Sequence, residues 1–320
     1  MLDILIIGGG PIGLACGLEA QRAGLSFLIV EKGCLVNSLY NYPSTMTFFS
    51  TSEKLEIGGI PFVTINNKPV RAEALEYYRR VAVSRHLPIK LFEEVTGIVK
   101  HGEGYTITSI KGTYEAKNVI LSTGFYDISV NLDIPGEYLP KVKHYYLDPH
   151  YYAMQKVVVV GSSNSAIDVA LETYRKGADV TLVVRGDEIS SRVKYWVRPD
   201  IINRIKEGSI KAYFNSNLKE VREYEVDIET PEGTITIAND FVMAMTGYKP
   251  NFIFLEKMGI DLSEDKFIPK YNPDTMESNL PGMYLAGVVV GGLDTHLWFI
   301  ENSRIHADMI IADIVKKRGL

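Results

Sequence analysis

Two glycine-rich turns share one layout, and their residue types suit the binding of dinucleotide phosphates. Residues 8–13 read Gly-Gly-Gly-Pro-Ile-Gly, and residues 161–166 read Gly-Ser-Ser-Asn-Ser-Ala. In such a turn the first glycine allows a tight bend, the second lets the backbone approach a pyrophosphate, and the third permits close helix–strand packing. The phosphates then lie at a helix N-terminus, where free N–H groups and the helix dipole favour negative charge.

Each turn is preceded by an apolar strand and followed by a helical stretch, a glycine and a second apolar strand. The residue that ends this second strand differs between the copies. Glu31 can accept hydrogen bonds from ribose hydroxyls, as in the adenosine half of FAD, whereas Arg185 suits the 2′-phosphate of NADPH. The second turn departs from the pattern at Ser163 and Ala166. A single turn would also fit an ordinary strand–turn–helix unit, but the recurrence of every part favours two nucleotide sites.

The bulk composition narrows the class of protein. The chain has 320 residues, 46% of them hydrophobic, which suits two domains. No segment reads as a signal peptide or membrane span, and a net charge of −5 with scattered basic residues argues against a nucleic-acid partner. With only Cys16 and Cys34 present, a disulfide framework is implausible, and we expect a reducing cytoplasm. No metal site is predicted.

The repeat extends beyond the turns. Each half offers a short hairpin and then a strand that ends in Thr-Gly, which indicates an internal duplication. The predicted hairpin strands are 105–109 with 113–116 and 226–229 with 234–237, and the closing segments are 119–124 (VILSTG) and 242–247 (VMAMTG).

The segment after the second closing strand returns to the first half. Tyr-Lys-Pro at 248–250 reads as a crossing, 283–287 (MYLAG) reads as another strand, and a helix is expected from about Trp298 to the C-terminus. We therefore predict an α/β fold of two Rossmann-like, three-layer ββα domains. Residues 1–124 and 250–320 would form a discontinuous FAD-binding domain, and residues 125–249 would form the NADPH-binding domain.

Two Rossmann units, the paired Thr-Gly closes and the late Tyr-Leu-Ala-Gly strand together resemble the thioredoxin-reductase-like group of flavoproteins. The likeness covers essentially the whole chain. It implies FAD in the first domain, NADPH in the second, and hydride transfer from nicotinamide to flavin. Some members relay electrons to a Cys-x-x-Cys pair in the NADPH domain. Because no cysteine follows Cys34, this chain is not a thioredoxin reductase of that type.

A more specific set of segments runs from end to end of the chain: 31–33 (EKG), 40–43 (YNYP), 47–50 (TFFS), 57–58 (IG), 61–62 (PF), 139–142 (LPKV), 144–145 (HY), 164–168 (NSAID), 247–248 (GY), 286–288 (AGV) and 299–302 (FIEN). Together they resemble the YpdA family of bacillithiol-disulfide reductases. The resemblance implies an NADPH-dependent homo-oligomer, a dimer or a tetramer, that reduces a low-molecular-weight disulfide such as bacillithiol disulfide.

One position departs from that family. Its members typically have cysteine where this chain has Ile12, and that cysteine has been proposed to meet the disulfide. A thiol at a helix N-terminus would have a lowered pKa, whereas isoleucine has no such chemistry. Either the role passes elsewhere, the thiol is dispensable, or the oxidant differs. Cys16, one helical turn further on, is either a replacement nucleophile or a small buried hydrophobe. Cys34 could be exposed.

The resemblance and the turns together give a set of candidate cofactor contacts. Tyr40 is the preferred flavin-ring contact, although an aromatic side chain there could equally be core. Arg192 and Lys194 could close over the 2′-phosphate, and Lys194 is preferred because its position resembles the family's lysine. The candidates are Gly8, Gly10, Pro11, Ile12, Gly13, Glu31, Lys32, Tyr40, Val95, Thr123, Gly124, Gly287, Phe299 and Ile300 for FAD, and Gly161, Ser163, Asn164, Ser165, Arg185 and Lys194 for NADPH.

Three other functions remain open on the sequence alone. Flavin monooxygenation, or electron delivery to ferredoxin or flavodoxin, would keep both cofactors and change the acceptor. A non-catalytic NADPH sensor would need only one dinucleotide site, so Glu31 speaks against it.

Overall fold

A computed structural model describes residues 1–319. The α-helices are α1 (Pro11–Arg22), α2 (Asn37–Tyr40), α3 (Arg71–Ser84), α4 (Asn164–Arg175), α5 (Arg198–Lys206), α6 (Phe252–Lys257), α7 (Ile300–Ser303) and α8 (Ile305–Arg318). The strands are β1 (Leu2–Ile7), β2 (Phe27–Val30), β3 (Ile89–Lys90), β4 (Val95–His101), β5 (Gly104–Ser109), β6 (Thr113–Leu121), β7 (Ile128–Ser129), β8 (Val142–Lys143), β9 (Lys156–Val160), β10 (Asp179–Val183), β11 (Lys211–Tyr213), β12 (Asn217–Val221), β13 (Glu225–Thr230), β14 (Gly233–Ala238), β15 (Phe241–Ala244), β16 (Tyr248–Lys249) and β17 (Met283–Leu285).

The chain divides into two compact units. Unit 1 comprises Met1–Asn41, Met46–Ile128 and the described chain from Tyr248 onward, and unit 2 comprises Tyr42–Thr45 and Ser129–Gly247. The short segment Tyr42–Thr45 belongs to unit 2 because its polar groups bond there. The Ser44 N–H donates to the Leu147 carbonyl at 2.7 Å, and the Ser44 hydroxyl donates to Asp148 at 2.9 Å.

Unit 1 is built on a sheet in the order β3-β2-β1-β6-β5-β4, with β17 also paired to β6. The strands from β3 to β6 and β17 run parallel, whereas β6, β5 and β4 form an antiparallel meander. Five consecutive residues of β1 are buried, as expected for a parallel strand covered on both faces. Helix α1 packs closely because Gly17 faces Ile29 and Phe27, where an added Cβ would lie 2.8 Å from Ile29.

Unit 2 repeats the parallel core in the order β11-β10-β9-β15-β8. The apolar residues of β9 and β10 and the buried face of α4 form one hydrophobic cluster. A separate antiparallel sheet, β12-β13-β14, packs its apolar face on the other side of β9 and β15. The predicted α/β class with two Rossmann-like units is confirmed.

The two halves repeat less closely than the sequence suggests. In unit 1 the second hairpin strand and the closing strand are one strand, β6. In unit 2 they are β14 and β15, which lie in different sheets because the chain turns at Asn239 and Asp240. The Asn239 amide donates to the Phe241 carbonyl at 2.6 Å, and the Asp240 N–H donates to the Lys156 carbonyl at 2.9 Å.

The C-terminal helix is also divided. It begins at Ile300 rather than Trp298, and α7 and α8 meet at Arg304. Within residues 1–319, no helix combines the length and apolar character that a membrane span requires.

Candidate functional site

The first glycine-rich turn fits between β1 and β6 only because it lacks side chains. Gly8 has a φ of +109°, and a Cβ there would lie 2.4 Å from the Ser122 carbonyl oxygen. A Cβ on Gly13 would lie 1.9 Å from the Gly8 carbonyl oxygen. The Ser122 hydroxyl lies 3.0 Å from the carbonyl oxygens of both Ile7 and Gly8. Helix α1 therefore packs directly against the turn at Gly13, and the Ser122 hydroxyl bonds to the turn backbone at Ile7 and Gly8.

The start of α1 has the features of a phosphate site. Gly10 is the N-cap residue and Pro11 the first helical residue, and no side chain caps the helix. A Cβ on Gly10 would meet nothing within 4 Å, so there is open space beside the backbone. The first N–H groups of a helix have no intrahelical partner, and the dipole there favours an anion. A pyrophosphate fits this cradle.

Glu31 closes the adenosine side of the same site. Its carboxylate accepts the Gly9 N–H at 2.7 Å and the Gly33 N–H at 2.8 Å. Burial raises the pKa of Glu31, and these two hydrogen bonds oppose the rise. Each carboxylate oxygen accepts about two hydrogen bonds, so both retain capacity for a ribose hydroxyl. The residues present therefore fit the adenosine diphosphate half of FAD.

Several other candidates lie around this turn. The Val36 N–H donates to the Gly9 carbonyl, and the Glu93 N–H donates to the Glu31 carbonyl, which brings the approach to Val95 beside Glu31. Thr123 and Gly124 directly follow Ser122, and Gly124 has a φ of +72°. The structure thus brings together the segments that the sequence predicted for the pyrophosphate and adenosine.

Ile12 packs against the late Ala-Gly-Val segment. A Cβ on Gly287, which has a φ of +85°, would lie 3.3 Å from Ile12. The Gly287 N–H donates to Nδ1 of His306 at 3.1 Å, and the Trp298 ring lies edge-on to His306 at 4.7 Å. Burial lowers the pKa of His306 to about 4, so the imidazole is neutral near pH 7 and can accept this bond. Sequence reasoning missed His306, since no motif marks it.

The remaining flavin candidates have other neighbours in the structure. Tyr40 is 53% exposed, and the Arg71 guanidinium lies 5.4 Å from its ring centre. Lys32 pairs with Asp127 at 2.7 Å. Phe299 is half exposed at the N-cap of α7, directly before Ile300. Contacts of these four residues with a flavin stay predictions.

Neither cysteine has the environment of a reactive thiol. Cys16 is fully buried in α1, and burial, reinforced by Glu19 and Asp308, raises its pKa to about 12. Cys34 is partly buried, with its Sγ 3.6 Å from Oδ1 of Asn37, and burial together with Glu31 raises its pKa. Because the thiolate is the nucleophilic form, Cys16 has the properties of a core residue.

The second turn has the same backbone plan. Gly161 has a φ of +130°, and a Cβ there would lie 2.7 Å from the Met245 carbonyl oxygen. Ser163 is the N-cap of α4, and its hydroxyl makes no capping bond, so it is available to a ligand beside Ser165. Ala166 is buried at the third glycine position. This turn also fits a pyrophosphate, with one hydroxyl in place of the second glycine.

The charged residues of the second site divide into two kinds. Arg185 and Arg192 are exposed, and neither guanidinium forms an ion pair within residues 1–319. Lys194, by contrast, is 8% exposed, and its Nζ lies 2.7 Å from Asp168 Oδ2. Lys194 is paired with Asp168, which lies one helical turn beyond Asn164 on α4, and Arg192 is the exposed cation. Contact of Lys194 with a 2′-phosphate stays a prediction.

Comparison with known proteins agrees with this picture. Residues 5–287 match the family described as pyridine nucleotide-disulphide oxidoreductase. The chain is 43% identical over 98% of both sequences to the bacilliredoxin reductase Bdr of Bacillus subtilis (strain 168). The structure of bacillithiol disulfide reductase Bdr (YpdA) from Staphylococcus aureus matches at 41% identity, with a TM-score of 0.96 over 99% of both chains.

A thioredoxin reductase from T. acidophilum matches at 20% identity and a TM-score of 0.79 over 100% of this chain and 99% of that one, a likeness of fold alone.

The two Bdr relatives confirm the predicted resemblance to the YpdA family. The chain belongs to the pyridine nucleotide-disulphide oxidoreductases, and within them to the YpdA (Bdr) family, and is an oxidoreductase of the class that uses a flavin and a nicotinamide nucleotide.

Proposed function

We propose that this protein is an NADPH-dependent FAD oxidoreductase that reduces a low-molecular-weight disulfide, with bacillithiol disulfide as the substrate, and that works without a Cys-x-x-Cys pair. The observation that carries the proposal is the contrast between two otherwise similar turns. Glu31 offers carboxylate lone pairs at the first turn, and Arg185 offers an exposed guanidinium, without an ion pair in residues 1–319, at the second. A carboxylate suits ribose hydroxyls and repels a 2′-phosphate, whereas arginine attracts one.

The two cofactors are assigned to different units. FAD is proposed for unit 1, at the cradle of Gly8, Gly10 and Gly13, and NADPH for unit 2, at the turn from Gly161 to Ser165. When bound, FAD would take two electrons from NADPH and pass them to the disulfide, so that NADPH, a proton and RSSR give NADP⁺ and two RSH.

The chain's own residues bind and orient in this scheme. The α1 N-terminus and Glu31 would hold the FAD pyrophosphate and ribose, and the buried, neutral His306 would fix the Gly287 backbone beside Ile12. Neither cysteine is assigned to the electron path, because Cys16 is buried with a pKa of about 12 and Ile12 replaces the family's cysteine. The disulfide would therefore be reduced without a protein thiol as relay.

The names of the relatives support a disulfide as the oxidant but differ on which one. One relative is named for bacilliredoxin, a protein, and the other for bacillithiol disulfide, a small molecule. We choose the small disulfide as the direct oxidant because a thiol-free route needs only access to the flavin. We further propose a homo-oligomer that works in the cytoplasm, in keeping with two unpaired cysteines.

Anaerobic oxidation of NADPH by the purified yellow protein tests the proposal. Bacillithiol disulfide, glutathione disulfide and cystine are supplied in parallel, with ferredoxin and air-saturated buffer as alternative acceptors. The expected result is rapid NADPH loss with bacillithiol disulfide and the release of two thiols per NADPH. Oxidation that depends on oxygen or ferredoxin, with no gain from any disulfide, would replace this function with one of the alternatives.

A further inference from the structure

The side chain of Asn164 connects a loop to the start of α4. Asn164 is the first residue of the helix. Its Nδ2 donates to the Arg192 carbonyl at 3.1 Å, and its Oδ1 accepts the Lys194 N–H at 2.8 Å. These two bonds hold the segment 185–194, which we call the cation loop. Direct contact of Asn164 with the cofactor, as expected from the sequence, stays a prediction.

Two further contacts tie the cation loop to the same region. The Ser190 N–H donates to the Ser162 carbonyl at 3.2 Å, and Lys194 Nζ pairs with Asp168 at 2.7 Å. Asn164 and Asp168 are four residues apart and therefore lie on one face of α4. The loop is thus attached at the glycine-rich turn and at two successive turns of the helix.

These hydrogen bonds and the ion pair hold Arg192 near the N-terminus of α4, where the helix dipole disfavours a cation. The Arg192 carbonyl is bonded to the first residue of α4, and its side chain is exposed without an ion pair within the described chain. Helix dipoles favour cations at the C-terminus, not the N-terminus. A cationic residue fixed at this end gains a favourable partner only when an anion binds there.

We propose that Asn164 is a positioning residue for nucleotide selectivity, which sets Arg192 in the cation loop to meet the 2′-phosphate while Arg185 meets it from the end of β10. This inference rests on the proposed use of NADPH. It also separates two roles that the sequence merged: Arg192 contacts the ligand, whereas Asn164, Lys194 and Asp168 fix the loop. Only a side chain with one donor and one acceptor can make both Asn164 bonds, so aspartate cannot replace it.

The test compares binding of 2′,5′-ADP and 5′-AMP, which differ only in the 2′-phosphate, to the flavin-loaded protein by calorimetry. Asn164→Ala is the main variant, because alanine at the first helical position preserves α4. We expect the wild-type preference for 2′,5′-ADP to fall roughly tenfold, as for the loss of one charged contact, with 5′-AMP affinity changed less than about twofold. Asn203→Ala, an exposed asparagine on α5, is the matched control and should leave the preference unchanged.

A double-mutant cycle shows whether Asn164 acts through Arg192. Arg192→Ala and Asn164→Ala/Arg192→Ala should have the same preference, because the tie has nothing to position once Arg192 is gone. Additive losses, or an unchanged preference in Asn164→Ala, would overturn the inference. Asn164→Leu, which is close to asparagine in size and can make neither bond, is the second variant if alanine impairs folding, and an unchanged preference there would count equally against it. A wild-type protein without any preference for 2′,5′-ADP would instead remove the NADPH assignment itself.

Discussion

Two glycines of the first turn should respond to alanine in opposite ways. At Gly13 an added Cβ would lie 1.9 Å from the Gly8 carbonyl oxygen, and reaching even 3.0 Å requires a shift of 1.1 Å between α1 and backbone that cannot rotate away. Overpacking of this kind costs about 3 kcal/mol, the upper end of the usual range. At Gly10 nothing lies within 4 Å of an added Cβ, and its φ of −74° and ψ of 178° suit alanine.

The apoprotein, prepared by removing bound flavin, separates folding from binding. Gly13→Ala should lower the melting temperature of unit 1 in the apoprotein by roughly 6–12 °C, because about 3 kcal/mol corresponds to that shift in a unit of roughly 200 residues. Gly10→Ala should melt within about 2 °C of the wild type or slightly above it, since alanine restricts the unfolded chain. Its Cβ would nevertheless occupy the space of the pyrophosphate, so FAD titration should give affinity at least about tenfold weaker. Wild-type FAD affinity in Gly10→Ala would refute the cradle, and wild-type melting in Gly13→Ala would refute the close packing.

Three further outcomes follow from particular side chains. Arg185→Ala should lower the ratio of NADPH to NADH catalytic efficiency by roughly tenfold or more, since a lost charged contact costs about 1.5–3 kcal/mol; equal efficiencies in the unmutated protein would contradict the assignment. The buried His306, with its pKa lowered to about 4, stabilises the fold fully above its unfolded pKa near 6.5, and this stability is lost as the pH falls toward 4. The free energy of unfolding, measured by denaturant titration, should fall by up to about 3 kcal/mol between pH 6.5 and pH 4. His306→Gln should lack this part of the pH dependence. Iodoacetamide at pH 8 should label Cys34 in the native protein only slowly, because its pKa is raised, and should leave Cys16 unmodified until denaturation; native labelling of Cys16 would contradict its burial.

Local pattern was sufficient to predict the parts of the site that are close in sequence. The strand, glycine turn and helix follow one another directly, and the strands that pair beside the turns lead into Glu31, directly after β2, and Arg185, two residues beyond β10. Parallel pairing then fixes where the strand ends meet, which is why Thr123, Gly124 and Gly287 could be placed near Gly8 from their positions after apolar strands.

Pairing choices between distant residues could not be predicted in this way. Lys194 could bind a phosphate or a carboxylate equally well by its chemistry, and only the fold brings Asp168 within 2.7 Å. Asn164 was recognised as part of a motif, yet its two bonds span 28 and 30 residues of chain. The break between β14 and β15 falls at Asn239, whose side chain donates to the Phe241 carbonyl within the turn, and no pattern in the sequence marks that bond.

Electrons are proposed to reach the disulfide without a protein thiol, and the cysteine-free variant Cys16→Ser/Cys34→Ser tests this route most directly. Under anaerobic conditions NADPH should bleach the flavin of this variant, and bacillithiol disulfide should then restore the oxidised flavin spectrum at a rate within about threefold of the wild type, with two thiols released per flavin. Cys16→Ala/Cys34→Ser serves as a second variant, since a buried serine hydroxyl can destabilise the core. A variant that folds, binds FAD and is bleached by NADPH, but is not reoxidised by the disulfide, would contradict the account and assign the transfer to a cysteine.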